Sequence, residues 1–119
     1  MSDEASRRTD GMCATERGVF LYVTFPADAD IPAFAKRALA ENLCACVNVL
    51  TSRSIYLWEG EVKDEPEQVA LFKTAPGNEQ ALRRYIEANH PYTVPCIATL
   101  TPGLNPSFAD WLDETTDSA

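Results

Sequence analysis

Positive charge is scarce in this chain: ten Lys and Arg stand against eighteen Asp and Glu, giving a net charge of −8. Phosphate binding needs clustered Lys and Arg, so this balance argues against nucleic acid and anionic membranes as partners. No apolar run approaches the roughly 18 residues that a membrane span requires. The N-terminus carries no apolar h-region, so no secretory signal is expected, and the reading is a cytoplasmic protein. Histidine is reduced to a single residue, His90. The four cysteines include no C-x-x-C pair, so the common zinc-site spacing is missing. Cys44 and Cys46 would sit two apart on one strand, about 6.6 Å between Cα atoms with parallel side chains, which suits a disulfide poorly. Cys44, Cys46 and Cys96 therefore read as small buried thiols, and Cys13 as an exposed free thiol. No glycine-rich phosphate loop occurs, which counts against nucleotides.

What is present is one domain's worth of chain, 119 residues with 45% hydrophobic content, enough for a single core. Its organising stretch runs from Ser54 to Thr74. Ile55 and Leu57 alternate with Tyr56 and Trp58. Further on, Val69, Leu71 and Lys73 alternate with Ala70, Phe72 and Thr74. That period of two is the strand signature. The charged segment from Lys63 to Pro66 is expected to hold the turn of a long β-hairpin, because Pro66 donates no backbone hydrogen bond. Gly60 reads as a bulge. Both faces carry large apolar groups, and the arms outrun the other strands. The tip should overhang the sheet and present Trp58 and Val62 for association.

The remaining chain supplies the frame. Residues 1–18 read as a flexible tail. Val19 to Phe25 suits a strand buried on both faces. Asp28 or Asp30 caps a helix whose Ile31, Phe34, Ala35, Ala38 and Leu39 form one apolar face, with Asn42 as its stop. Cys44 to Val62 reads as one bent, bulged strand. A second helix ends near Asn89 with Leu82, Tyr85 and Ile86 inward. His90 to Pro95 is a stiff connector held by prolines. Cys96 to Thr101 is the last strand. A short helix with Phe108, Trp111 and Leu112 on one face follows, and the chain ends in a polar tail, residues 116–119. The order is α+β: a ferredoxin-like βαββαβ antiparallel sheet with a long central hairpin and an extra C-terminal helix. Residues 19–115 form the single domain. Two helices cover one sheet face only, leaving Tyr56, Trp58 and Phe72 on the other to meet a neighbour.

Several segments in this order resemble the CutA divalent-cation tolerance family. They are Ala45-Cys46-Val47-Asn48, Ser54 to Gly60, Lys73-Thr74, His90-Pro91-Tyr92 with Pro95, and Trp111-Leu112. The resemblance implies a homotrimer joined by the long hairpins, a link to tolerance of divalent metals, notably copper, and no established catalysis. Cys96 stands where the family pattern carries Glu. A thiolate in place of a carboxylate would favour Cu(I) or Zn(II).

The candidate metal ligands are His90, Cys96 and, from a neighbouring chain, Glu59. The alternative for His90 is a helix-terminal histidine bonding the last carbonyls. A Cys96–His90 nucleophile pair lacks an orienting acid and an oxyanion turn. Lys73 either binds an anion between subunits, with Tyr92 and Trp58 as walls, or pairs with Glu59 or Glu67. Tyr56, Trp58 and Trp111 either line a ligand pocket or anchor a subunit interface. Asp64, Glu65 and Glu67 either gather cations loosely or keep the hairpin tip soluble. The expectation is a non-enzymatic, trimeric metal-tolerance protein with weak copper binding and no obligatory cofactor. The alternative is a sensor or scaffold for an anionic small molecule.

Overall fold

A computed structural model describes residues 17–117. Cys13 and most of the expected N-terminal tail lie outside the described residues. Four strands and three helices follow the expected order: β1 (Val19–Pro26), α1 (Ile31–Ala40), β2 (Cys46–Trp58), β3 (Glu61–Thr74), α2 (Glu79–Asn89), β4 (Ile97–Leu100) and α3 (Pro106–Thr116). The sheet order is β2-β3-β1-β4, and every pairing is antiparallel. β3 is thus inserted between β1 and β2, the split βαβ arrangement.

Alternation decides which residues make the core. Leu21, Val23, Phe25, Ala70 and Phe72 point to the helix-covered face and are buried. There they meet Ile31, Phe34 and Ala38 of α1 and Leu82 and Ile86 of α2. Phe25, Phe34 and Phe72 pack as an aromatic cluster with ring centres 5.2–6.5 Å apart. Phe72 therefore belongs to this core and not to the open face with Tyr56 and Trp58. Asp30 caps α1 by accepting from the Ala33 amide at 3.1 Å. Asn42 ends the segment with φ +58°, a left-handed conformation that asparagine tolerates. Tyr85 donates its hydroxyl to the Phe34 carbonyl at 2.9 Å and ties the two helices together.

The hairpin differs from expectation in its turn. β2 runs unbroken through the Thr51–Arg53 segment and pairs with β3 from Cys46–Lys73 to Trp58–Glu61. Glu59 (φ +52°) and Gly60 (φ +79°) make a two-residue turn with both central residues left-handed, the type I′ geometry whose twist matches that of the strands. Gly60 is a turn residue, not a bulge. The Lys63 to Pro66 segment is strand. Pro66 is accommodated because β1 pairing ends at Glu67, so β3 has an open edge at Pro66, where proline is tolerated.

The six rungs from Arg53–Pro66 to Trp58–Glu61 stand beyond the rest of the sheet. At about 3.4 Å per residue they form an arm of roughly 20 Å. The molecule accordingly measures 55 × 31 × 20 Å.

Both expected tails are shorter than the sequence suggests. Arg17 bonds Asp110 at 2.8 Å, Asp113 at 3.2 Å and the Pro106 carbonyl at 3.2 Å, all on α3. Gly18 is buried, and a Cβ there would run into Leu104. At the other end α3 continues to Thr116, which is buried and donates to the Leu112 carbonyl at 2.7 Å.

Candidate functional site

A cavity of about 670 Å³ lies where the arm leaves the sheet, between β2, β3 and the connector that follows α2. Tyr56, Trp58, Glu65 and Glu67 enter it from the open face of the hairpin. Tyr92, Val94 and Cys96 enter from the connector. Period two puts Glu65 and Glu67 on the same face of β3, and Tyr56 lies two rungs from Glu65 on the same face of the neighbouring strand, a diagonal neighbour. The Tyr56 hydroxyl donates to Glu65 Oε1 at 2.7 Å. The Tyr92 hydroxyl donates to Glu67 Oε2 at 2.6 Å. Burial, then the Glu67 bond and its charge, hold Tyr92 far above the ordinary phenol range. The Glu65 bond does the same for Tyr56 to a smaller extent. Both phenols stay protonated and act as neutral donors to carboxylates.

His90 anchors the connector from behind. Its Nδ1 accepts the Tyr92 amide at 3.0 Å, so the ring proton sits on Nε2, which donates to the Thr24 carbonyl at 2.8 Å. The ring stacks on Phe25 with centres 4.4 Å apart. Burial holds its pKa below the ordinary value, partly countered by the Thr24 bond. Both nitrogens are engaged. His90 is thus neither a free ligand nor a base for Cys96, and the carbonyl it bonds belongs to β1, not to the end of α2. Its work is to place Tyr92.

The other candidates are dispersed. Cys96 is exposed, not packed, and lines the cavity. Glu59 occupies the tip of the turn. Among the described residues no group of three His, Cys, Asp or Glu is placed to hold a metal ion. Lys73 lies opposite Cys46, at the far end of the hairpin from Trp58, about 40 Å along the strand. Its Nζ sits 5.0 Å from the Phe20 ring centre and 5.8 Å from that of Phe108. Among the described residues it pairs with neither Glu59 nor Glu67. Lys73, Tyr92 and Trp58 do not share an anion site within one chain. Trp111 is 42% exposed on α3, beside Phe108. Asp64 holds Arg53 through two bonds of 2.6 and 2.7 Å on the opposite face from Glu65 and Glu67.

Sequence reasoning grouped Glu65 and Glu67 with surface charge. The signal that marks them is the shared alternation of Tyr56-x-Trp58 and Glu65-x-Glu67, which puts all four on one face once the turn is set at Glu59-Gly60. The other wall, Tyr92, has no local signal, because its placement depends on His90 meeting Thr24.

A split βαβ sheet whose central hairpin outruns its neighbours places the chain in the structural class of divalent-cation tolerance proteins. The solved structure of CutA from Synechococcus elongatus superposes with a TM-score of 0.84 at 28% identity, covering 92% of this chain and 98% of that one. The divalent-cation tolerance protein CutA of Archaeoglobus fulgidus is 36% identical over 100 residues, 82% of this chain and 97% of its own length. A chloroplastic CutA 1 of rice is 34% identical over 118 residues, covering 98% of this chain and 67% of its own. Residues 19–115 match the CutA1 divalent ion tolerance protein family, and the chain belongs to that family. Its relatives occupy different compartments: the solved Archaeoglobus protein is described as periplasmic. No described helix here is long and apolar enough to cross a membrane.

Proposed function

We propose that this chain serves divalent-cation tolerance as a cytoplasmic homotrimer that holds copper weakly and catalyses no reaction. The observation that carries the reading is the arm. Ile55, Leu57 and Val62 are 65%, 73% and 72% exposed on one of its faces. Apolar area of this kind on a two-stranded ribbon requires cover, and further copies of the same chain supply it symmetrically. Cys96 supports the metal part of the reading, as an exposed soft donor on the wall of the cavity. With no three-donor group in one chain among the described residues, tight capture needs donors from a second copy, which accords with weak binding. The engagement of both His90 nitrogens removes the base that a Cys96 nucleophile would use. The anionic-ligand alternative has no support in the cavity, whose charged lining residues are Glu65 and Glu67.

The test is native mass spectrometry of reduced, metal-stripped protein titrated with copper. The expected result is a trimer taking up a fixed number of ions, with uptake reduced in Cys96→Ser and kept in His90→Gln. A monomer would sink the assembly reading, and a trimer that takes up no copper would sink the metal reading.

A further inference from the structure

We propose that the cavity at the base of the arm binds a linear organic diamine, its ammonium groups on Glu65 and Glu67 and its carbon chain against Tyr56, Trp58 and Tyr92. This goes beyond the metal reading and does not rest on it.

The lining selects cations first. Glu65 and Glu67 are its charged residues, and neither Lys, Arg nor His lines it. Among the described residues neither carboxylate has an ion pair. Lys63, on the same face, is engaged with Glu61 at 3.2 Å. Each carboxylate is held by one neutral tyrosine hydroxyl. That bond orients the group without cancelling its charge and leaves the second oxygen of each open to a donor.

The lining next selects among cations. A small divalent ion needs several hard or thiolate donors converging on one point, and no such group exists here among the described residues. Three aromatic rings line the cavity instead. Ring faces attract weakly hydrated organic cations and cover their methylene carbons. The volume, about 670 Å³, is that of a small-molecule pocket and far larger than one ion requires. Glu65 and Glu67 are two residues apart on one strand face, about 7 Å between Cα atoms. A four-carbon diamine spans such a gap with one N–H donor group at each carboxylate. A quaternary ammonium has no N–H to give to the open oxygens, which is why the diamine is favoured.

The experiment is calorimetric titration of the full-length assembly with 1,4-diaminobutane at fixed ionic strength, beside the uncharged 1,4-butanediol. Saturable binding of the diamine alone is expected. Glu67→Gln and Trp58→Leu should each weaken it roughly tenfold. Tyr92→Phe, which keeps the ring but removes the hydroxyl that orients Glu67, should weaken it by less than Glu67→Gln does. Light scattering must show the parent assembly in every variant scored. Trp111→Phe leaves Trp58 as the sole tryptophan, so its emission must change on diamine addition even if another variant fails to fold. The proposal is overturned by no saturable heat in the parent, by equal binding of the diol, by equal affinity in Glu67→Gln, or by silent Trp58 emission. A parent that takes up no copper yet binds the diamine would overturn the metal reading and leave this site standing.

Discussion

The same two strands have two fates along their length. In the body of the sheet, Ala70, Phe72 and Thr74 of β3 are fully buried. In the arm, the residues continuing that same face are Val62 at 72% exposed and, across the ladder, Leu57 at 73%. Alternation is identical in both halves. What changes is the neighbour: β1 flanks residues 67–74 and the helices cover them, whereas residues 61–66 have β2 alone. Apolar periodicity therefore says which residues share a face, but not whether anything in the same chain covers it.

The sharpest way to probe this difference is to make matched changes in the two halves. Phe72→Ala empties a site at the centre of the aromatic cluster and should cost about 3–5 kcal/mol, read from urea unfolding. The paired change Leu57→Asp with Val62→Asp should leave the fold of each subunit intact, by circular dichroism, while driving the assembly to monomers in light scattering. If the double change instead unfolds the chain without dissociating it, the arm is part of the core and the contrast fails. Gly60→Val tests the turn on which the arm depends. A β-branched residue at φ +79° should cost roughly 1–2 kcal/mol, again by urea unfolding.

The smallest effect concerns His90, which anchors the connector at the base of the arm. Burial lowers the folded-state pKa of His90, so the unfolded chain protonates first as pH falls. Its contribution to stability is complete above the unfolded value, about 6.5, and is lost as pH drops through the folded one. His90→Gln should flatten the slope of stability against pH in that window. An unchanged slope would mean that other groups carry the acid sensitivity.

How much of this was legible in the sequence follows the same division. Faces and core were readable wherever period two or 3.6 held: Leu21, Phe34, Leu82 and Ile86 are all buried. Leu39 fits the helical pattern yet is 37% exposed, one residue before the end of α1. The turn was misplaced because Pro66 and its charged neighbours carry a stronger local breaker signal than Glu59-Gly60. That signal is cancelled by strand order, since the open edge beyond Glu67 exists only once β1 is paired. As the chain's one histidine, His90 is a candidate ligand by residue type, with a helix-terminal role as the alternative. Its actual partners, Thr24 and Phe25, lie about sixty-five residues away in sequence, and nothing local announces them. Cys96 was expected to be packed with the other thiols, but the connector turns it outward.

The two-residue turn at Glu59-Gly60 has a consequence for how this molecule can vary. Because the pleat returns to the same face only at every second residue, adding or removing a single rung between the sheet and Leu57 would exchange the surfaces beyond it and turn Leu57 toward the side that Trp58 now occupies. The arm can be lengthened or trimmed only in steps of two rungs if its faces are to keep their partners. Reach is therefore quantised in this protein: changes of arm length that preserve assembly should come as paired insertions on both sides of the tip, and an odd step should read out as lost association.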